Sequence, residues 1–430
     1  MAAEAPEDRL IIYLNETRIG TLSRMKGGKL EFAYEEGYQA GPPLSYSMPI
    51  ADRIHRDATV SPFLWNLLPD DTRLLATWGR RYQVNPSNCF ALLKEIGEDC
   101  AGAVRFVVPE KEAEARRGGL VPISEKEIGE RLVQLEHDPA AARDPSDQGR
   151  FSLAGAQPKI ALRLENDGWH IPWGSEPTSH ILKPPRSDFA RHAENEHFCL
   201  RLASALGMRA AESSVLRFGA GKAIVVKRFD RMRRDDQLYR VHQEDMCQAL
   251  GIGPDRKYEN DGGPGISEVI GIVSGSARRL EDREAFMDAI VLNYLILGTD
   301  AHAKNYSILH TSQGFILAPL YDIASFAPYA RSPKDERLAM RIDRYYKISQ
   351  IRPRHFQHMA QASNYPARML LDRLEAIATQ LPSACEQVGE AAINDGLDSA
   401  FIEGLIQSLS ARSRKALEML ARPSKRNDQP

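Results

Sequence analysis

Asp300 and Asn305 stand five positions apart in Thr299-Asp300-Ala301-His302-Ala303-Lys304-Asn305, and a second acid follows in the apolar-flanked pair Tyr321-Asp322. Phosphoryl transfer needs three such functions: an acceptor for a hydroxyl proton, an oxygen ligand for a metal, and a carboxylate that holds Mg²⁺ against nucleotide phosphates. An Asp and an Asn at this spacing also occur as plain helix caps and turns. The surroundings favour the chemical reading. Ala285 to Leu297 carries Phe286, Ile290, Tyr294 and Leu297 on one apolar stripe, which predicts a core helix holding the loop. Tyr306, Ile308 and Leu309, then Phe315, Ile316 and Leu317, predict short strands around Ser312-Gln313-Gly314. That hairpin would carry Asp322 back toward Asp300.

A nucleotide also needs backbone N–H groups and a cation at its phosphates. Ser152-Leu153-Ala154-Gly155-Ala156-Gln157-Pro158-Lys159 lies between strand-like runs, and its small central residues would let the backbone approach phosphate oxygens beside Lys159. With one glycine it matches neither the Walker pattern nor the kinase glycine-rich pattern, and an ordinary hairpin turn has the same composition. Lys183 ends His180-Ile181-Leu182 and looks like the strand lysine that grips phosphates in kinases. A carboxylate from the next helix would orient it, with Glu196 the better placed and Glu194 second. Ala223 to Val226 runs into Lys227-Arg228-Phe229-Asp230, where a kinase-type chain crosses between lobes and meets the adenine edge. Arg231, Arg233, Arg234, Asp235 and Asp236 read as a solvated loop. Val241 to Met246 reads as a helix-cap cluster and Lys257 to Gly265 as a turn, neither with an assigned chemistry.

The 430 residues are enough for two or three domains, and a net charge of −2 gives no global basic field to hold nucleic acid. No apolar run is long enough to span a bilayer, and Met1 to Asp8 lacks the features of a secretion signal, so a cytoplasmic protein is expected. The five cysteines are scattered, which points to buried, inert thiols rather than a zinc site or disulfides.

Along the chain, Leu10–Leu14 and Arg18–Leu22 predict a hairpin, Leu30–Tyr34 a strand, Pro62 to Leu75 a helical stretch, Asn88 to Ile96 a helix and Ala103 to Val108 a closing strand. Ser124 with Glu127 predicts a capped short helix, and Asp138 to Gly149 a linker. Strands are expected at 151–154, 159–164, 180–183 and 222–229, with one helix from Ala193 to Leu206 ending at Gly207. Further helices are expected near 244–250, 267–274, 282–297, 368–380 and 398–420, and a frayed tail at the end. The fold class is therefore α+β, with domains at 1–108, 151–230 and 231–425, a linker with a short helix at 109–150, and a tail at 426–430.

Taken together these strings resemble the HipA family of serine/threonine kinase toxins from type II toxin–antitoxin modules. Carriers include Phe63 to Pro69, Asp99 to Val104, Ser152 to Lys159, His180 to Lys183, Arg228 to Arg231, His242 to Gln248, Lys257 to Gly265, Thr299 to Ser307 and Pro319 to Ser325. The resemblance implies a bilobal protein-kinase-like fold, with a β-rich N-lobe, a helical C-lobe and an additional small N-terminal α/β domain. It implies ATP and Mg²⁺ as cofactors, Asp300 as catalytic base, and Asn305 and Asp322 as metal ligands. The implied ATP contacts are Ala154, Gly155, Ala156, Gln157, Pro158, Lys159, Lys183, Lys227, Arg228, Phe229, Lys304, Asn305, Tyr321 and Asp322. Ser152 falls on the family's autophosphorylated serine, whose phosphorylation ejects the phosphate loop and switches the enzyme off. Implied partners are a HipB-like helix-turn-helix antitoxin, operator DNA mainly through that complex, and an aminoacyl-tRNA synthetase as substrate, glutamyl-tRNA synthetase foremost. Here there is no His-Arg-Asp triplet, and Tyr321-Asp322-Ile323 replaces Asp-Phe-Gly. Two rivals are a small-molecule phosphotransferase and a catalytically weak corepressor of the antitoxin; intact Lys183, Asp300, Asn305 and Asp322 speak against the second.

Overall fold

The first alternating runs close as a hairpin. Strands β1 (Asp8–Leu14) and β2 (Thr17–Arg24) pair antiparallel around Asn15, which takes the turn at φ 53°. With β3 (Leu30–Tyr34), β4 (Ile54–Arg56) and β5 (Val104–Val107) they form a sheet in the order β4-β3-β2-β1-β5. Three helices supply the rest of this core: α1 (Asp57–Asn66), α2 (Thr72–Tyr82) and α3 (Cys89–Ile96), with Phe32, Phe63 and Phe90 essentially inaccessible. The computed structural model describes residues 7–138, 152, 154–155, 157–186, 188–332 and 334–422.

The helical stretch predicted from Pro62 to Leu75 is two helices. Pro69 has no N–H to continue a helix, Asp71 caps α2 through the N–H groups of Arg73 and Leu74, and Leu67 to Asp70 run non-helical between them. The capping box predicted at Ser124 forms, but the helix it starts, α4 (Glu125–His137), is a full 13 residues. It packs on a second sheet, ordered β10-β11-β9-β7-β8-β6, made of β6 (Gly118–Pro122), β7 (Ile160–Glu165), β8 (Gly168–Gly174), β9 (His180–Lys183), β10 (Ser213–Phe218) and β11 (Gly221–Lys227). Strands β6, β8 and β10 escaped the sequence reading. Expected strand residues Ser152 and Ala154 lie outside any strand, and 139–149 of the expected linker stretch and the tail at 426–430 lie outside the described residues.

After β11 come the hairpin β12 (Arg231–Arg234) with β13 (Gln237–Arg240), and the sheet of β14 (Gln243–Asp245), β15 (Ser307–Thr311) and β16 (Gly314–Leu317). The helix expected at 244–250 is the end of β14 followed by the short α6 (Met246–Ala249), where Asp245 and Gln248 form a capping box. These elements belong to one compact unit, 1–193 with 211–257 and 306–318; the second comprises 194–210, 258–305 and 319–430.

The second unit is mostly helical: α5 (His192–Ala205), α7 (Ile266–Val273), α8 (Arg279–Ile296), α9 (Pro353–Ala362), α10 (Ala367–Asn394) and α11 (Ser399–Ala421), with the hairpin of β17 (Arg337–Ile342) and β18 (Tyr345–Lys347). Arg412 of α11 donates to the carbonyls of Tyr294 and Leu295, occupying acceptors that the end of α8 leaves open. Among the described residues no helix is long and apolar enough to cross a membrane. All five cysteines are buried, and burial pushes the thiols of Cys89, Cys100 and Cys385 up to about 12, as inert thiols require.

Arg231 is not the solvated residue the sequence suggested. It lies buried with Arg228 and Arg240 around Asp99 and Asp230. Asp99 accepts from Arg231 at 2.9 Å, Arg240 at 2.7 Å and the Thr178 hydroxyl at 2.7 Å. Asp230 accepts from both Arg228 and the Gly102 N–H at 2.7 Å. Burial alone would raise the Asp99 carboxyl, yet Arg231, Arg240 and Arg228 outweigh it and hold that group well below the usual carboxylate range. Removing one partner from such a network leaves charges buried without compensation. Asp99→Asn should therefore lower the unfolding free energy by about 3–5 kcal/mol in urea titration, and an unchanged midpoint would show that the network does not hold this unit together.

Candidate active site

Helix α8 stops at Leu297, which turns left-handed at φ 58°, and the Gly298 N–H closes back on the Asn293 carbonyl at 2.8 Å. A Cβ at Gly298 would meet Asn293 Oδ1 at 2.1 Å, so any larger residue there would have to push the Asn293 side chain aside. The chain then enters Asp300 to Asn305. The Asp300 carbonyl accepts from the His302 N–H at 2.8 Å and from Asn305 Nδ2 at 2.7 Å, and Ala303–Asn305 forms one tight turn. Asn305 thus donates through its nitrogen, leaving its amide oxygen as a hard ligand. The Tyr321 hydroxyl donates to the Lys304 carbonyl at 2.6 Å, so the predicted Tyr321-Asp322 pair does reach the Asp300 loop.

The Asp300 side chain is exposed, and its Oδ1 accepts a 2.5 Å hydrogen bond from the Tyr258 hydroxyl. The Tyr258 ring meets buried His302 edge-on, with centroids 4.8 Å apart. Glu259, next in sequence, accepts from the Arg341 N–H at 2.6 Å and pairs with its guanidinium at 2.8 Å, tying the turn to β17. The segment Lys257 to Gly265, read from sequence only as a turn, therefore orients the loop acid. Its signal was present in a tyrosine set among acids and glycines, but no spacing rule connects residue 258 to 300.

Asp322 is exposed and left-handed at φ 51°. Its neighbours pin it from both sides: the Leu320 N–H donates to the Arg209 carbonyl, the Ser325 hydroxyl to the Ile296 carbonyl at 2.6 Å, and Asn195 of α5 bonds both the N–H and the carbonyl of Ser325. Glu194 and Glu196, on the same helix, are buried rather than solvated. Among the described residues no three His, Cys, Asp or Glu side chains gather into a metal cage. A carboxylate and an amide oxygen are hard donors of the kind that hold Mg²⁺, whose remaining ligands come from phosphates and water.

In the first unit, Lys183 is buried at the end of β9, opposite Ile224 of β11. Ser152 is fully buried; its N–H donates to the Asp99 carbonyl and its hydroxyl to the Leu67 carbonyl, both at 2.8 Å. Gly155 takes φ 107°, Lys159 Nζ donates to the Ala154 carbonyl at 2.5 Å, and Gln157 Nε2 donates to the Pro184 carbonyl at 2.9 Å. Ala156 lies outside the described residues. The segment Lys227 to Phe229 differs from expectation in detail. Strand β11 ends at Lys227 rather than running to Phe229, and the N–H groups of Lys227 and Arg228 already donate to the Glu212 and Ser179 carbonyls at 2.9 Å. The Lys227 side chain is exposed and pairs with Glu212, and that of Arg228 is buried against Asp99 and Asp230. An adenine edge would have to meet other groups of this segment.

The unassigned stretch Val241 to Met246 also gains a role. Buried Glu244 accepts from the Ser45 hydroxyl, from the Tyr46 N–H at 2.7 Å and bonds His310 at 2.8 Å, while His242 bonds the Leu44 carbonyl at 2.9 Å. It fastens the N-terminal sheet domain to β14 and β15.

Residues 10–107 match the HipA N-terminal domain family and residues 151–385 the HipA-like C-terminal domain family. The chain belongs to the HipA family. Y4mE of Sinorhizobium fredii is 34% identical over 408 residues, spanning 92% of this chain and 95% of that protein. The serine/threonine-protein kinase toxin HipA of Shewanella oneidensis is 30% identical over 397 residues, 88% of this chain and 89% of that protein. The solved complex of Shewanella oneidensis HipA with HipB and its operator DNA superposes with a TM-score of 0.81 at 28% identity, covering 96% of this chain and 98% of that one. The α+β kinase-like fold and the protein serine/threonine kinase class expected from the sequence both stand.

Burial holds three imidazoles uncharged: His180 down to about 4, with the Lys227 charge adding to it, His197 to about 4, beside Arg201, and His242 to about 3, beside His310. Folded values below the unfolded one, about 6.5, mean stability that is present above that pH and lost as pH falls through it. The melting temperature should therefore drop steadily below about pH 6.5, with proton uptake on unfolding; a midpoint flat down to about pH 5 would show these histidines to be protonated in the fold.

Proposed function

We propose that this HipA-family kinase is a Mg²⁺-dependent toxin that transfers the γ-phosphoryl group of ATP to a serine of an aminoacyl-tRNA synthetase, glutamyl-tRNA synthetase foremost, and so arrests growth. The observation that carries the reading is the exposed Asp300 carboxylate, held by Tyr258 in a loop shared with Asn305 and linked to the segment of Asp322. With Oδ1 engaged by Tyr258, Oδ2 is the oxygen that would accept from a substrate hydroxyl. That hydroxyl oxygen bonds to the γ-phosphorus as the bond to ADP breaks, and its proton passes to Asp300. Asn305 and Asp322 would hold Mg²⁺, which neutralises charge on the phosphates when bound. Lys183 and the loop from Ala154 to Lys159 supply the cation and the backbone cradle, with Glu196 the partner proposed for Lys183 and Lys304 and Tyr321 lining the nucleotide side.

The same reading places regulation at Ser152. Its hydroxyl is a buried donor to a carbonyl; a phosphoryl group there would lose the donor and set a dianion against that carbonyl. The loop would then leave its seat and the enzyme would fall silent. A HipB-like antitoxin is the proposed partner, bringing operator DNA to a chain whose own net charge is −2.

Asp300→Ala should abolish transfer, by roughly 10²–10⁴-fold, while leaving Mg-ATP affinity near wild type, whereas Asp322→Ala should weaken Mg-ATP binding itself. Radiolabel transfer to glutamyl-tRNA synthetase, with calorimetry for nucleotide, checks both; normal turnover in Asp300→Ala would sink the assignment. Ser152→Ala should keep its activity during prolonged incubation with Mg-ATP, and a decay matching wild type would rule out this serine as the switch.

A further inference from the structure

Leu67 to Asp70, the non-helical break between α1 and α2, faces the segment that carries Ser152 and Gly155. Its contacts are of three kinds. The Leu67 carbonyl takes the buried Ser152 hydroxyl; Pro69 and Gly155 form a parallel β-bridge in which the Asp70 N–H donates to the Gly155 carbonyl at 3.3 Å; and the Asp70 carboxylate pairs with Lys257 Nζ at 2.7 Å. Asp70 and Lys257 are only 12% and 16% exposed, so this pair is screened far less than a surface one. The break is anchored upstream as well, because Asn66 Nδ2 donates to the Ile252 carbonyl at 2.8 Å and Gln248 Nε2 to the Phe63 carbonyl at 3.2 Å.

The chemistry of a phosphate loop explains why such an anchor matters. A loop that offers N–H groups to an anion must keep its carbonyl oxygens occupied elsewhere, since an oxygen turned toward phosphate repels it. Here the Ala154 carbonyl is taken by Lys159 and the Gly155 carbonyl by the Asp70 N–H. Gly155 can hold this shape because its φ is 107°, and a Cβ there would meet Lys159 Nζ at 2.7 Å. Part of the shape is thus imposed from outside the loop, at the Gly155 carbonyl, by a residue of the N-terminal domain that is itself fixed by an ion pair.

We infer that Asp70 and Lys257 are positioning residues that clamp the Leu67–Asp70 segment onto the phosphate loop, so that the N-terminal domain sets the loop's competence for ATP. This rests on reading the loop as the phosphate-binding element. The test uses the full chain with Asp70→Asn, Lys257→Met and the charge-swapped double variant D70K/K257D. Hydrogen exchange is followed on peptides carrying Ser152 and Gly155, and KM for ATP and kcat are measured beside it. Each single variant should exchange about tenfold faster at the loop and raise KM for ATP about tenfold, with kcat at saturating ATP within about twofold, and the swap should return both toward wild type. Unaltered loop exchange in both single variants overturns the inference. So does a fall in kcat with KM unchanged, the mark of general loosening. A wild type that binds no Mg-ATP, while loop exchange still responds to Asp70→Asn, would overturn the nucleotide reading and leave the clamp standing.

Discussion

The buried charge network around Asp99 is the constraint on which the first unit depends. Its carboxylate is shared by Arg228, Arg231 and Arg240, three residues that enter from the end of β11 and from the β12–β13 hairpin, while its backbone carbonyl receives the Ser152 N–H. One residue between α3 and β5 thereby fixes a strand exit, a hairpin and the start of the segment proposed to cradle phosphate. Buried ions are a poor route to stability as such, because desolvation offsets most of the attraction, but they tolerate few alternative arrangements. A hydrophobic residue in place of Asp99 would take from Arg240 its carboxylate partner and leave Arg228 and Arg231 to Asp230, so the network specifies one packing of the N-terminal domain.

A second buried carboxylate repeats the logic. Glu244 satisfies Ser45, Tyr46 and His310 at once, and His242 stacks on His310 with centroids 5.0 Å apart. Between them the two acids bind the N-terminal sheet domain into the unit through polar contacts that are nearly all paired. An N-terminal domain fastened in this way is a structural part of the kinase rather than an appendage. It also brings the Leu67–Asp70 break to the loop it touches.

Much of the local structure was legible because it follows from short-range rules. The Asn15 hairpin, the Ser124 capping box, helix α3 and the apolar stripe of α8 each depend on residues a few positions apart. The loop acids could be picked out for the same reason, since Asp300 and Asn305 share one turn. What stayed hidden depends on partners distant in sequence. Tyr258 acts 42 positions away, Glu244 reaches back 199 to Ser45, and Asp99 meets Arg240 across 141. Arg231 looked like a solvated charge because composition cannot show that two aspartates await it. Strands β6, β8 and β10 were missed where glycine, proline or arginine interrupts alternation that tertiary pairing restores.

Asp322 stands under two demands that arise separately. Its backbone lies in the left-handed region, which side chains beyond glycine, asparagine and aspartate enter at a cost, and its carboxylate belongs to the proposed metal pair. Glutamate keeps the charge but loses the local bonding that eases this conformation and carries its oxygens one methylene further out. Glycine keeps the backbone and discards the ligand. Aspartate therefore meets both demands, with asparagine the nearest substitute, and the set would stay narrow even if the chemistry drifted, because the turn between Leu320 and Ser325 is fixed by α5 and α8 whether or not a nucleotide is ever bound.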